Sequence, residues 1–244
     1  MSRPVIQWIA VLVLAITSQA SASTLSGKLT PSDISRINEI VGIPSVARPL
    51  RSAESYESWP GLKIGFEVLF LGERGLNDLG DRSGTLPKVS PVPRLYLSKG
   101  LFYDLEMTIS FFPTSEVNPV STLGVIFKYC FYQEQSDWLS IAAFLGFTDV
   151  EAFRSAYHGT DVEAGILLSK DFVRLKPYLG LGVLAARGEV SRTTLATGVT
   201  ENSAWVSTLH AFLGTEIELP LTFGAQVDLF NLSLGASFFV GKKF

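Results

Sequence analysis

The sequence predicts an all-β fold: a transmembrane antiparallel up-and-down β-barrel of about ten strands, preceded by a short N-terminal helix. Three observations lead to this fold class. Segments in which apolar and polar residues alternate recur along most of the chain. The composition is 47% hydrophobic, yet no apolar run after residue 22 reaches the roughly 20 residues of a transmembrane helix. Because lipid cannot satisfy backbone hydrogen bonds, a membrane protein without such helices must close its strands into a barrel.

The first 22 residues have the pattern of a secretory signal peptide. Arg3 precedes an apolar run over residues 6–16, and residues 20–22, Ala-Ser-Ala, form a small-x-small cleavage site. We therefore expect residues 1–22 to be removed and the rest to be exported through the inner membrane. The alternative, a membrane-anchoring helix, is disfavoured because the apolar run is too short.

Residues 23–58 lie outside the strand pattern and predict one short helix. Thr30 suits the N-cap, Pro31 the first helical position and Asp33 the capping carboxylate. A one-sided apolar stripe and two helix-ending residues follow: Ile34, Ile37, Ile40 and Val41, then Gly42 and Pro44. The preferred interpretation is a periplasmic helix that rests against the barrel mouth.

An alternative for the same residues is a plug inside the barrel. In that arrangement Arg48, Arg51 and Glu54 would meet acidic groups in the lumen. The helix at the mouth is preferred because chain termini are often loosely held.

Residues 59–244 form the predicted barrel. Ten alternating segments cover about 61–71, 92–99, 102–112, 120–132, 138–148, 157–169, 175–186, 204–219, 221–230 and 232–244. The second segment is the weakest, because Pro91 and Pro93 cannot donate to a strand ladder. Eight strands remain possible without it, and twelve if residues 44–58 add a pair. Short connections alternate with longer ones, so periplasmic turns are expected to alternate with outer loops, with both termini periplasmic.

The last segment carries a further pattern. Leu234, Phe238, Val240 and Phe244 share one apolar face, and the chain ends on an aromatic residue. An exported chain with such an end resembles the small outer-membrane β-barrel proteins of Gram-negative bacteria, through generic features rather than a subfamily motif. The resemblance implies an outer-membrane location and contact with outer-membrane lipid and lipopolysaccharide. It also implies that barrel-assembly machinery recognises Phe238, Val240 and Phe244.

The polar face of the strands is predicted to point into a narrow lumen. Its ionisable residues are the candidate functional site: Lys63, Glu67, Arg94, Asp104, Glu106, Lys128, Asp161, Glu163, Lys176, His210, Glu216, Glu218 and Asp228. Ten strands enclose little free space, so we expect an occluded, ion-paired interior with a weak preference for cations. Glycines of the same parity are expected to make room for neighbouring Lys and Glu side chains. A soluble lipocalin-like barrel with its apolar face inward remains an alternative.

No catalytic, metal or cofactor site is predicted. His158 and Thr160 are similar to the His-x-Ser pair of lipid A deacylases, but threonine replaces serine and no orienting carboxylate is expected on that face. Omptin proteases are similar in strand number, but their paired Asp and His residues have no match. Two separated histidines and one cysteine do not provide zinc spacing. A formal net charge of −3, without basic clusters, argues against a nucleic-acid partner.

The predicted function is that of a non-enzymatic outer-membrane barrel, either structural or a narrow, gated channel for small solutes whose identity the sequence does not specify. One alternative is a surface adhesin that binds through loops 72–90 and 187–203. A second alternative is an outer-membrane enzyme that modifies lipid.

Overall fold

Ten antiparallel strands close into a barrel. The computed structural model describes residues 28–54, 61–72, 89–112, 120–133, 139–153, 155–172, 174–231 and 233–244. Its strands are β1 (Leu62–Gly72), β2 (Val89–Gly100), β3 (Leu105–Phe112), β4 (Val120–Gln133), β5 (Ser140–Ala152), β6 (Tyr157–Ser169), β7 (Leu175–Val190), β8 (Ser203–Glu218), β9 (Thr222–Phe230) and β10 (Ser233–Lys243). Each strand pairs with its neighbours in the chain, and β1 pairs with β10. The predicted ten-stranded barrel is confirmed for this part of the chain, and the eight- and twelve-strand alternatives are wrong.

The strand limits differ from the predicted ones at a few ends. The largest differences are the start of β2 at Val89, the start of β3 at Leu105, and the ends of β5 and β7 at Ala152 and Val190. Strand β2 includes Pro91 and Pro93 because its pairing with β3 begins only at Leu95. Neither proline therefore has to donate to that ladder. The predicted signal peptide and nearly all of the predicted loop 72–90 lie outside the described residues.

The outer surface of the barrel is apolar over most of its height. The exposed side chains include Ile64, Leu97, Phe127, Leu145, Ile166, Leu181, Leu213, Val227 and Phe238. Charged side chains on the same strands are buried instead, among them Lys63, Glu163 and Asp228. A soluble barrel carries these two faces the other way round. The lipocalin-like alternative is therefore wrong, and the barrel is a transmembrane one.

The two ends of the barrel are distinguished by the parts of the chain that they hold. Phe244 N–H donates to Leu62 O over 2.8 Å, so the start of β1 and the end of the chain lie together. We call this end the Phe244 end. The opposite end holds the connection between β7 and β8, residues 191–202, and is called the loop end.

Near the loop end the polarity of three strands reverses. We call this part the collar: residues 149–152 of β5, 157–160 of β6 and 186–190 of β7. Its outward-facing residues are polar, namely Asp149, Glu151, His158, Thr160, Arg187 and Glu189. Its large inward-facing residues are apolar, including Val150, Tyr157 and Val190, which are at most 2% exposed. Because a charged outer face suits water rather than lipid, the collar extends beyond the apolar band.

The predicted helix begins as expected but does not end as expected. In α1 (Pro31–Ile37), Thr30 N–H donates to Asp33 Oδ2 over 2.8 Å and Asp33 N–H donates to Thr30 Oγ1 over 3.4 Å. The chain continues in a π-helical turn, Asn38–Gly42, and then past Gly42 in a 3₁₀ turn, Ile43–Ser45. Among the helices of the described residues, none is both long enough and apolar enough to cross a membrane.

Helix α1 lies inside the collar, at the loop end. Its apolar stripe belongs to one buried cluster with Leu29, Val120, Val150, Ala152, Phe153, Tyr157 and Val190. Asn38 Nδ2 donates to Ala186 O over 3.0 Å, and Tyr157 Oη donates to Asn38 Oδ1 over 2.8 Å. The sequence placed the helix at the same end as Phe244, and this placement is wrong. The stripe needs apolar partners, which the inner face of the collar provides.

Glycines on the inner wall make room mainly for aromatic rings. A Cβ atom on Gly214 would overlap the Tyr178 ring, and one on Gly180 would overlap the Phe212 ring. Gly65, Gly165 and Gly224 face Tyr96, Phe144 and Phe239 in the same way. The expectation that these glycines accommodate Lys and Glu holds for Gly182, which faces Glu163, but is wrong for most of the others. The inner wall is therefore packed by rings on neighbouring strands.

Candidate functional site

The lumen is crossed by the chain that follows the helical turns. Residues 46–54, here called the lumen segment, run from the collar towards the Phe244 end. Val46 is buried against Leu184 and Ala186 near the collar. Glu54 Oε2 lies 2.6 Å from Lys176 Nζ, at the start of β7 and thus at the Phe244 end. Residues between these points are almost fully buried, so the segment occupies the interior.

One charged cluster joins the lumen segment to β6, β8 and β9. Arg48 Nη1 donates to Asp228 Oδ2 over 2.8 Å, and both side chains are fully buried. His210 lies between two carboxylates, with Nδ1 2.6 Å from Glu163 Oε1 and Nε2 3.0 Å from Asp228 Oδ1. A protonated imidazole donates from both nitrogens, which matches two acceptors. Phe230 stacks on the His210 ring at 4.2 Å and covers the cluster.

A second cluster lies closer to the Phe244 end. Arg51 Nη1 donates to Glu106 Oε2 over 2.7 Å, and Lys128 Nζ lies 3.2 Å from the same oxygen. Lys63 Nζ donates to Glu216 Oε1 over 2.6 Å. All five side chains are at least nine-tenths buried, so these are ion pairs without bulk water around them.

The wall also satisfies the backbone of the lumen segment. Ala47 N–H donates to Thr148 Oγ1, and Ala53 N–H donates to Ser169 Oγ, each over 2.8 Å. Lys128 Nζ donates to Ser52 O and Glu54 O, each over 2.8 Å. Arg94 donates to Val46 O over 3.0 Å and also to Ser45 O. A buried segment without strand partners needs such contacts, because unpaired backbone groups are costly.

One small cavity borders the lumen segment. The cavity between it and β1–β4 measures about 20 Å³ and is lined by Arg51, Glu67, Tyr96, Glu106 and Lys128 among others. This volume is close to that needed for one water molecule. Asp161, on β6, is fully buried, and neither of its carboxylate oxygens has a hydrogen-bond partner among the described residues. The lumen is thus occluded, with a surplus acidic group on its wall.

The structure brings most of the predicted site residues together. Lys63, Glu67, Arg94, Glu106, Lys128, Asp161, Glu163, Lys176, His210, Glu216 and Asp228 are buried. Glu218 lies at the Phe244 end, 3.3 Å from Lys176. Asp104 was predicted to face the lumen, and this is wrong: it is exposed in the turn of residues 101–104, because β3 begins only at Leu105. Whether these residues act in transport stays a prediction.

Some interior residues were missed by sequence reasoning. Asn38, Tyr178 and Gln226 make buried hydrogen bonds, including Tyr178 Oη to Gln226 Oε1 at 2.9 Å. The inward parity of Tyr178 and Gln226 was a usable signal. Phe238, Val240 and Phe244 all face outward, as their alternation predicted, and their role in assembly stays a prediction.

The outer face of the collar holds one contact that the sequence did not predict. His158 Nε2 lies 3.2 Å from Asp149 Oδ1, and both side chains are about half exposed. The expectation that His158 has no carboxylate on its face is therefore wrong. Asp149 belongs to β5, which continues beyond its predicted end, and Thr160 pairs with it directly across the ladder. In the part of the chain that the structure describes, no three His, Cys, Asp or Glu side chains are grouped to hold a metal ion.

The fold and its interior define a transmembrane β-barrel that is filled by its own chain. Neither a protein-family model nor a curated protein matches the sequence. Solved structures similar to this chain include the N-terminal β-barrel domain of OprF from Pseudomonas aeruginosa, with 12% identity and a TM-score of 0.35, covering 75% of this chain and 97% of that one. The attachment invasion locus protein Ail of Yersinia pestis has 13% identity and a TM-score of 0.30, covering 75% and 94%.

A third similar structure is the KdgM porin in complex with disordered oligogalacturonate. Its identity is 8% and its TM-score 0.36, and the match covers 75% of this chain and 99% of that one. Similarities this remote assign no function, so the functional argument depends on the lumen itself.

Proposed function

We propose that the protein is a non-enzymatic outer-membrane channel that is held closed by its own lumen segment. The observation that carries this proposal is the pair of contacts from Arg48 to Asp228 and from Arg51 to Glu106, which hold the lumen segment against the wall beside a cavity of only about 20 Å³. Outer-membrane lipid, lipopolysaccharide and the barrel-assembly machinery are the partners that such a location entails.

The chemistry of the closure supports a reversible seal. In the collar, α1 is held by apolar side chains, which are costly to expose to water. The lumen segment is held by ion pairs and hydrogen bonds. Buried ion pairs contribute little net stability, because desolvation offsets most of their attraction, and water can replace them once a segment moves. Opening therefore requires movement of residues 46–54 while α1 stays in the collar.

The charges of the wall support a cation preference in the open state. In the described chain the strands bury six carboxylates: Glu67, Glu106, Asp161, Glu163, Glu216 and Asp228. They bury four Lys or Arg side chains: Lys63, Arg94, Lys128 and Lys176. Arg48 and Arg51 add two cations from the lumen segment. When that segment moves away, the carboxylates outnumber the cations even if His210 is charged, and such a lumen attracts cations.

The test is planar-bilayer conductance of the refolded protein. We expect the wild type to be closed for most of the recording. The double variant Arg48→Ala/Arg51→Ala should conduct in discrete, cation-preferring steps, because it loses both ion pairs. Arg36→Ala is the matched control, since Arg36 is half exposed on α1 and its ion pair within the described residues is the local one with Glu39 at 2.9 Å.

A complementary variant distinguishes the release of the lumen segment from the cation preference of the open lumen. Asp228→Asn/Glu106→Gln should also open the lumen but with a weaker cation preference, because it removes wall carboxylates rather than arginines. If both double variants remain silent while a heat-modifiable band demonstrates a folded barrel, the closed-channel proposal is wrong.

A second candidate function is lipid modification at the outer face of the collar. The observation that favours it is the 3.2 Å contact between Asp149 and His158, with the Thr160 hydroxyl on the same face. A carboxylate that orients a histidine can activate a hydroxyl as a nucleophile. Mass spectrometry of lipid A from cells that express the wild type or His158→Ala tests this candidate, with Glu189→Ala as the control. Identical lipid A from all three strains would contradict the lipid-modifying function.

A further inference from the structure

The amino-terminal end of the internal chain is tied to the connection between β7 and β8. Leu29 N–H donates to Thr194 O over 2.9 Å, and Ala196 N–H donates to Leu29 O over 3.0 Å. These bonds form a parallel bridge between Leu29 and Leu195. Leu29 is fully buried, whereas Lys28 before it is exposed. The chain thus enters the barrel at the loop end.

The carboxy-terminal end of the same internal chain lies at the other end of the barrel. Glu54 contacts Lys176, and Gly61 O accepts from Gly100 N–H over 2.8 Å at the Phe244 end. Residues 28–54 therefore pass through the full height of the barrel before β1 begins. This path separates Lys28 from Phe244 by the whole transmembrane section.

Two features indicate which end faces the outside of the cell. The collar at the loop end carries Asp149, Arg187 and Glu189 on its outer face, so it stands in water beyond the apolar band. Outer-membrane barrels have short periplasmic turns and longer extracellular loops. At the Phe244 end each connection has at most six residues: 101–104, 134–139, 170–174 and 219–221. At the loop end residues 153–156 and 231–232 are also short, but 16 residues separate β1 from β2 and 12 residues separate β7 from β8.

We propose that the start of the internal chain, from Lys28 through the first turn of α1, is exposed at the cell surface beside the connection 191–202, so that the chain is threaded through the barrel from outside to inside. The inference depends on the outer-membrane location but not on conduction.

The consequence is a plug whose outer end is accessible to the surroundings of the cell. Ser32 and Arg36 are exposed at the loop end, while the rest of α1 is fixed in the collar. A ligand or antibody outside the cell can therefore bind this end of the internal chain without crossing the membrane.

Cysteine accessibility in whole cells tests the threading. The background is Cys130→Ala, since Cys130 is the single cysteine and lies in a buried apolar cluster opposite Ala142 of β5. Single cysteines are introduced as Ser32→Cys at the proposed surface and Glu201→Cys in the connection 191–202. Arg174→Cys is the matched control in an exposed turn at the Phe244 end. A membrane-impermeant maleimide is applied before and after the outer membrane is permeabilised.

We expect Ser32→Cys and Glu201→Cys to react on intact cells, and Arg174→Cys to react only after permeabilisation. If Ser32→Cys reacts together with Arg174→Cys, or only in denatured protein, the threading is wrong. Reaction of Arg174→Cys alone on intact cells would reverse the orientation and also overturn the proposal. Arg36→Cys provides a second position on α1, so that one poorly expressed variant does not decide the result. Because conductance is not measured, this test is independent of the closed-channel proposal.

Discussion

The transmembrane section and the collar are built from the same strands with opposite polarity. In the transmembrane part of β6, Val162 and Ile166 face outward while Asp161 and Glu163 are buried. In the collar part of the same strand, His158 faces outward while Tyr157 is buried. The difference shows that β6 passes from lipid into water near residue 160. It also shows that the interior changes at the same level, from an ionic lumen to an apolar core.

The internal chain is divided at the same level. Helix α1 supplies Ile34 and Ile37 to the apolar core of the collar. The lumen segment supplies Arg48 and Arg51 to the acidic wall below it. The collar thus resembles a small water-soluble domain mounted on a membrane barrel, with one continuous piece of chain serving both.

The largest expected effect is in the collar core. Ile37→Ala should lower the free energy of unfolding by about 2–5 kcal/mol, because Ile37 is fully buried and its loss leaves a cavity. Ile166→Ala is the matched control: Ile166 is 51% exposed to lipid, which fills the vacated space. Guanidinium titration in phosphatidylcholine vesicles measures both. Equal losses for the two variants would mean that α1 does not form a core with the collar.

The outer surface provides the next test, on one face of one strand. Leu181→Lys should lower the free energy of unfolding by about 2–4 kcal/mol. Leu181 is 58% exposed in the apolar band, so a lysine at this position is placed in hydrocarbon. Glu189→Lys, eight residues further along β7 in the collar, should leave stability nearly unchanged. The same titration measures both variants. A comparable loss at residue 189 would contradict the assignment of the collar to water.

A smaller effect is expected on the inner wall. Gly214→Ala should destabilise by about 1–3 kcal/mol, because the new Cβ overlaps the Tyr178 ring, which is itself buried. Gly146→Ala is the matched control, since its Cβ would meet no atom closer than 3.7 Å. The thermal unfolding of the barrel, followed by circular dichroism, distinguishes the two. If neither substitution lowers the unfolding temperature, the inner wall is packed less tightly than the ring contacts indicate.

Alternation was sufficient to predict the strands, because lipid on one side imposes the same parity on all of them. It did not locate α1. The stripe of Ile34, Ile37 and Ile40 shows only that the helix needs apolar partners, and those partners come from strands far apart in the sequence. The capping box was predictable, since Thr30 and Asp33 are three residues apart.

The collar was missed for a different reason. Arg187 and Glu189 continue the outward parity of β7, but they were assigned to a loop because strands were expected to end at the membrane surface. The contact between Asp149 and His158 depends on the register of β5 and β6, which pairs Glu151 with His158. Parity alone determines a face but not the partner across the ladder.

The closed seam between β1 and β10 has a consequence for the order of assembly. The seam extends from Lys63↔Lys243 to Phe70↔Ala236, and residues 28–54 lie inside it. A helical turn is about 10 Å wide with its side chains, too wide to enter a barrel that has already closed around packed rings. The internal chain must therefore be in position before β1 and β10 pair, so the barrel closes around a chain that is already in place.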